Sequence, residues 1–248
     1  MQTTTTAHSP PTPETTLSAI ALRSDAHASV LDRYKLDFCC RGSRSLLEAC
    51  SGAGLDVARV LAELTAEATA RQEALSPGVD WRQTPGELID FIVSTHHAYT
   101  RAAFERLVPL VVKVAGKHGD RHPELARVAT TLERLADDLE PHMMKEERVL
   151  FPYIRALGAP GGPPPAPFGT VRTPVQMMMR EHDRAAELLV ALADATANFT
   201  PPADACASFR ALYAGLAELR LDLLKHISLE NNVLFPQAVA LEAASARS

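Results

Sequence analysis

The chain has 248 residues, 46% of them apolar, and a net charge of −5. A mildly acidic balance gives no electrostatic footprint for nucleic acid, and no stretch approaches the ~18 apolar residues of a membrane span. The adjacent Cys39 and Cys40 are not a secreted disulfide framework, so a globular protein with reduced thiols is expected, in the cytoplasm.

Residues 1–16 are rich in Thr and Pro, with no apolar segment of a secretory signal, and are expected to be a disordered tail. Residues 17–76 are expected to form a small helical N-terminal domain carrying Cys39 and Cys40, with Leu55 to Ala74 dense in the helix formers Ala, Leu and Glu. The run Ser76-Pro77-Gly78 through Pro85 breaks the pattern, giving a linker over 77–86. Leu88, Ile89, Ile92, Val93 and His96 then share a helical stripe, and Arg121 to Arg155, Pro174 to Asn198 and Ala203 to Ala240 have the same period. A Pro/Gly-rich connector over 158–173 and a tight break at Pro201–Pro202 separate them. β-branched alternation is scarce, so the fold class is all-α: a four-helix bundle over 87–242 behind the small helical domain. Pro109, Pro141 and Pro152 fall inside predicted helices, where each predicts a bend or a stop.

Two stretches repeat. His142-Met-Met-Lys-Glu146-Glu-Arg-Val-Leu-Phe-Pro152 matches His226-Ile-Ser-Leu-Glu230-Asn-Asn-Val-Leu-Phe-Pro236 in His, Glu, Val, Leu, Phe and Pro, at an offset of 84. Upstream, His97 precedes His142 by 45 residues and His182 precedes His226 by 44. The bundle reads as a duplicated helical hairpin, each half contributing one single His and one H-x-x-x-E pair. Residues i and i+4 share a helix face, and Val149 and Leu150 are expected to continue that face into the core. Four imidazoles and two carboxylates then converge inside the bundle. Buried carboxylates need a cation.

One H-x-x-x-E is most often a solvated pair, and a single His on an apolar stripe most often a core residue; it is their joint repetition that points to a metal site. Six protein ligands exceed the three or four of zinc. Two six-coordinate ions sharing two carboxylates and an oxo or hydroxo group fit the count and leave positions for a small ligand. Imidazole-rich ligation suits iron better than magnesium or calcium, and a manganese or mixed centre satisfies the same count. Glu181, beside His182, is either a support for a ligand or solvent-exposed. Cys50 and Cys206 read as structural.

These residues resemble the hemerythrin-like di-iron proteins, through His97, His142-x-x-x-Glu146, His182 and His226-x-x-x-Glu230. More closely, the chain is similar to the repair-of-iron-centres family, the bacterial iron–sulfur cluster repair di-iron proteins. The similarity includes Asp37-Phe38-Cys39-Cys40, Asp80-Trp81-Arg82 and Glu181-His182-Asp183, and runs from about residue 17 to 240. Arg41 stands where the family commonly has glycine; as a nearby cation it is expected to lower a thiol pKa. The resemblance implies a hemerythrin-like bundle with two non-haem irons, carboxylate- and oxo-bridged, on His97, His142, Glu146, His182, His226 and Glu230, with His97 rather than His96 as ligand. It implies repair of iron–sulfur clusters damaged by nitrosative or oxidative stress, with damaged iron–sulfur proteins as partners and nitric oxide or oxygen as small ligand. Cys39 and Cys40 are candidate redox or interaction thiols, and self-association as a homodimer is one use for them. Two other readings stand beside repair: an oxidoreductase acting on nitric oxide or peroxide, and a carrier or sensor of nitric oxide or oxygen.

Overall fold

This computed structural model describes residues 10–70, 84–159 and 168–245. The chain divides into two compact units, Met1–Val79 and Asp80–Ser248. The first holds α1 (Leu17–Ala21), α2 (Asp25–Arg33), α3 (Leu46–Ala53) and α4 (Val57–Ala70). Thr16 and Ser24 cap α1 and α2, and Ser45 with Glu48 forms a reciprocal capping box at α3. Gly54, at φ 67°, ends α3 in the left-handed conformation that costs glycine no Cβ clash. Leu17, Ile20, Val30, Leu31, Leu46, Val60 and Leu64 bury completely and form the core of this unit.

Residues 1–9 of the expected tail lie outside the described residues, but its end is not disordered. Leu46 and Leu47 donate backbone N–H bonds to Thr15 and Pro13. Thr16 and Ser45 also form an isolated antiparallel bridge. The N-terminal approach is thus pinned to the start of α3. The expected linker falls mostly on residues 71–83, and the connector on 160–167, both outside the described residues.

In the second unit, α5 (Pro85–Phe91) opens on the Thr84–Glu87 capping box. A π turn, Ile92–His97, carries it into α6 (Ala98–His118). The second rod joins α7 (Glu124–Lys145), a π turn at Glu146–Leu150 and α8 (Phe151–Leu157). The third is α9 (Arg172–Ala195), and the fourth joins α10 (Ala207–Leu229), a π turn at Glu230–Leu234 and α11 (Phe235–Ser245). α6 packs on α7, α7 on α9, α9 on α10 and α10 on α6, closing a four-helix ring. Among the described residues no strand forms, and no helix is long and apolar enough to cross a membrane.

The internal prolines behave differently from expectation. Pro109 and Pro141 sit on exposed faces of continuous helices, where the carbonyl each leaves without a partner can turn to water. Pro152 does not stop its helix. The π turn ends at Leu150 and the helix restarts at Phe151, so Pro152 lies in a first turn where an amide proton is not needed. Pro236 holds the matching place in α11. The π turn also shifts the register: Leu150 stays buried, while Val149, expected in the core, is 49% exposed.

Candidate metal centre

His97 ends the first π turn, and Glu146 and Glu230 each begin another. A π turn widens the helix by one residue and is frequent at functional sites. Here the widened turns bring side chains from α7 and α10 toward those of the first and third rods. Two groups form, each with ligand atoms within 4.8 Å of one another: His97, Glu146, His226 and Glu230, and His142, Glu146, His182 and Glu230. Both carboxylates belong to both groups. Each group takes one single His from one half of the repeat and the H-x-x-x-E histidine from the other. All six side chains are buried.

Outer hydrogen bonds assign the imidazole tautomers. His97 Nδ1 donates to Glu147 Oε1 at 2.8 Å and His142 Nδ1 to Glu181 Oε2 at 2.8 Å, since a carboxylate only accepts. His182 Nδ1 lies 2.8 Å from Asn231 Oδ1. The Nε2 lone pairs of these three therefore face inward. His142 and His182 bring theirs to 3.0 Å, and His97 Nε2 is 3.2 Å from His226 Nε2. Neither oxygen of Glu146 has a hydrogen-bond donor. The closest imidazole nitrogens, His142 Nε2 and His97 Nε2, lie 3.4 and 3.5 Å away and carry lone pairs rather than protons. A buried carboxylate facing inward lone pairs fits a cation, and the nitrogen and oxygen donors fit a first-row transition metal.

Electrostatics agree. Burial and the charge of Glu230 push the Glu146 carboxyl well up. Burial opposes ionisation of Glu230 too, but His226, whose Nε2 lies 3.0 Å from Oε1, holds it well below the usual range. Two adjacent buried carboxylates cannot both ionise cheaply without a cation. Burial lowers His142, and His226 to about 4, so these rings stay neutral and able to ligate.

Sequence reasoning left Glu181 open between support and exposure. It is mostly buried, bonded to His142 and Lys145, and lowered to about 2 chiefly by the His142 hydrogen bond. Two supports were missed, Glu147 and Asn231. They follow Glu146 and Glu230 directly, so they hold the same repeat position, and each fixes the single His of its own half. The signal was present, but one is charged and the other neutral, so comparing identities passes over it. His96 is in neither group; its Nδ1 meets Asp222 Oδ1 at 2.9 Å and its ring stacks on His226. His122 lies outside both groups and bonds Glu124 and Asp204.

Cys39 and Cys40 lie in the other unit, with sulfurs 3.6 Å apart. The expectation of a lowered thiol pKa fails for Cys39. Contact with Cys40, burial and the nearby Asp37 push it well up, while the Arg41 guanidinium turns to Asp37, at 4.0 Å.

Comparison with known proteins accords with this donor set. Residues 88–238 match the hemerythrin HHE cation binding domain, and residues 13–68 match a domain of unknown function, DUF542. The chain is 39% identical over 228 residues to the iron–sulfur cluster repair protein YtfE of Cronobacter sakazakii, covering 91% of this chain and 96% of the relative. It is 37% identical over 235 residues to the protein of that name from Musicola paradisiaca, covering 93% and 98%. The Escherichia coli O157:H7 protein is 38% identical over 228 residues, covering 91% and 97%. This chain therefore belongs to the hemerythrin HHE cation-binding family and, within it, to the family of these iron–sulfur cluster repair proteins.

Proposed function

We propose that the chain is a di-iron protein that repairs iron–sulfur clusters damaged by nitrosative or oxidative stress. It would supply iron to damaged iron–sulfur proteins in the cytoplasm and take nitric oxide or oxygen as a small ligand. His97 and His226 would hold one iron and His142 and His182 the other, with Glu146 and Glu230 shared between them. The observation that carries this reading is Glu146: a fully buried carboxylate with no hydrogen-bond donor on either oxygen. The names of the relatives support the repair role.

Bound iron would supply a store of the element that can be handed on and a place for a diatomic ligand to coordinate. The protein's own part is orientation and exclusion. Glu147, Glu181 and Asn231 hold the Nδ1 protons and so keep Nε2 turned inward. Phe151 and Phe235 stack on His97 and His182 and shield them from water. Were the cation to leave, Glu146, whose neutral form burial and the charge of Glu230 favour, would take up one proton and so offset part of the lost charge.

The test is reactivation of a nitric-oxide-damaged iron–sulfur enzyme by anaerobically purified protein of known metal content. About two irons per chain are expected from the two-octahedron count, with client activity recovering and Glu146→Ala failing to restore it. Zinc in place of iron would overturn the di-iron reading. A fully iron-loaded protein that leaves the client inactive would overturn repair, and sustained nitric oxide consumption would mark an oxidoreductase instead.

A further inference from the structure

The segment between α2 and α3 is built as a rigid loop. Ser18 N–H bonds to Gly42 O and Leu17 N–H to Arg44 O, anchoring its far side to α1. Phe38 is 2% exposed and fixes the near side. Within the loop, Asp37 Oδ1 accepts from Cys40 N–H at 2.9 Å and from Arg41 N–H at 3.4 Å. The Cys39 thiol donates to the same oxygen at 3.3 Å. This bonding fixes both thiols against one carboxylate, with Cys39 buried and Cys40 at the half-exposed edge.

Spacing is the informative quantity. Two thiolates on a tetrahedral ion, each about 2.3 Å from it, lie about 3.8 Å apart. The Cys39 and Cys40 sulfurs are 3.6 Å apart, so one ion can take both without movement of the backbone. The Asp37 carboxylate completes a group whose ligand atoms all lie within 4.8 Å of one another. We propose that Asp37, Cys39 and Cys40 form a second metal site, which takes one thiophilic divalent cation of the zinc or iron(II) class and leaves its fourth position open at the Cys40 edge.

Binding there breaks two S–H bonds, forms two metal–sulfur bonds and releases two protons to solvent, with no change of oxidation state. Two thiolates and a carboxylate on a divalent ion leave one net negative charge, which the Arg41 guanidinium beside Asp37 offsets. A three-ligand site with an open position suits transient holding better than permanent closure. The proposal stands independently of the bundle centre, which contains no sulfur donor.

The test is anaerobic titration of the full-length protein with cobalt(II), after the bundle centre has been filled with iron. One further equivalent is expected, with a sulfur-to-cobalt charge-transfer band and tetrahedral d–d absorption. Nitrogen and oxygen donors cannot produce that band, so its appearance or absence is unaffected by failure of the di-iron reading. Cys40→Ser, at a half-exposed position that leaves the core intact, should abolish the band, and Asp37→Asn should weaken binding while keeping the loop's acceptor oxygen. Cys50→Ser and Cys206→Ser should leave it unchanged. Displacement by zinc or by iron(II) would identify which cation the site prefers. No charge-transfer band at excess cobalt would overturn the proposal, as would a band that survives Cys40→Ser or requires Cys50 or Cys206.

Discussion

Glu147 and Asn231 occupy the same position in the two halves of the repeat, and each accepts the Nδ1 proton of the single histidine of its half, Glu147 from His97 and Asn231 from His182, both at 2.8 Å. Equivalent positions thus do equivalent work with different chemistry. A carboxylate makes its imidazole a stronger donor than an amide does. Glu147 is also fixed by Arg101 at 2.9 Å. Replacing either residue by Ala should leave the ring free to turn and weaken metal binding about 10–100-fold, as for comparable outer partners of metal sites. Competition with a chelator of known affinity measures this, and an unchanged affinity in both variants would remove the supporting role.

Glu146 and Glu230 belong to both four-residue groups. Glu146→Ala or Glu230→Ala should therefore cost at least one metal ion per chain, whereas His96→Ala should retain the full complement. Elemental mass spectrometry against protein concentration distinguishes these outcomes. Glu146→Gln should have opposite effects in the two states. It should raise the denaturant midpoint of the metal-free protein, because it removes a carboxylate whose ionisation is opposed by burial and by Glu230. It should lower the midpoint of the metal-loaded protein, because a ligand is lost.

The π turn after Glu146 makes neighbouring residues unequal. Val149→Ala should change stability by no more than about 0.5 kcal/mol, the usual range for surface positions. Leu150→Ala should cost about 2–5 kcal/mol, as for a buried leucine. Urea unfolding of the two variants reads the difference directly. Similar costs at both positions would mean a regular α-helical register through this segment.

Glu181 gives a pH dependence of fixed sign. Its carboxyl falls from 4.5 to about 2 on folding, chiefly through the His142 hydrogen bond. The unfolded chain then binds more protons between these values, so stability rises with pH across that window. The contribution is fully present above pH 4.5 and lost as pH falls toward 2. Unfolding of metal-free protein should show Glu181→Gln less stable than the parent at pH 6, with the two converging toward pH 2. A constant gap across the acid range would mean that Glu181 acts through packing rather than charge.

The helical class, the duplicated hairpin and the donor residues worth watching are legible along the chain. These are local properties: helix formers, i,i+4 spacing and a repeat offset can be read along one dimension. Packing sets that His97 meets His226 and His142 meets His182, because which rods become neighbours depends on closure of the four-helix ring. It also decided the π turns at Glu146 and Glu230, which turn Val149 outward and bring both carboxylates between the imidazole pairs. Regular 3.6-residue periodicity cannot express one added residue. The raised thiol of Cys39 was hidden for a related reason: Arg41 is adjacent in sequence, but in space it faces Asp37, while burial and Cys40 control the sulfur. Proximity along the chain predicts which charges are available, and packing determines which group each one reaches.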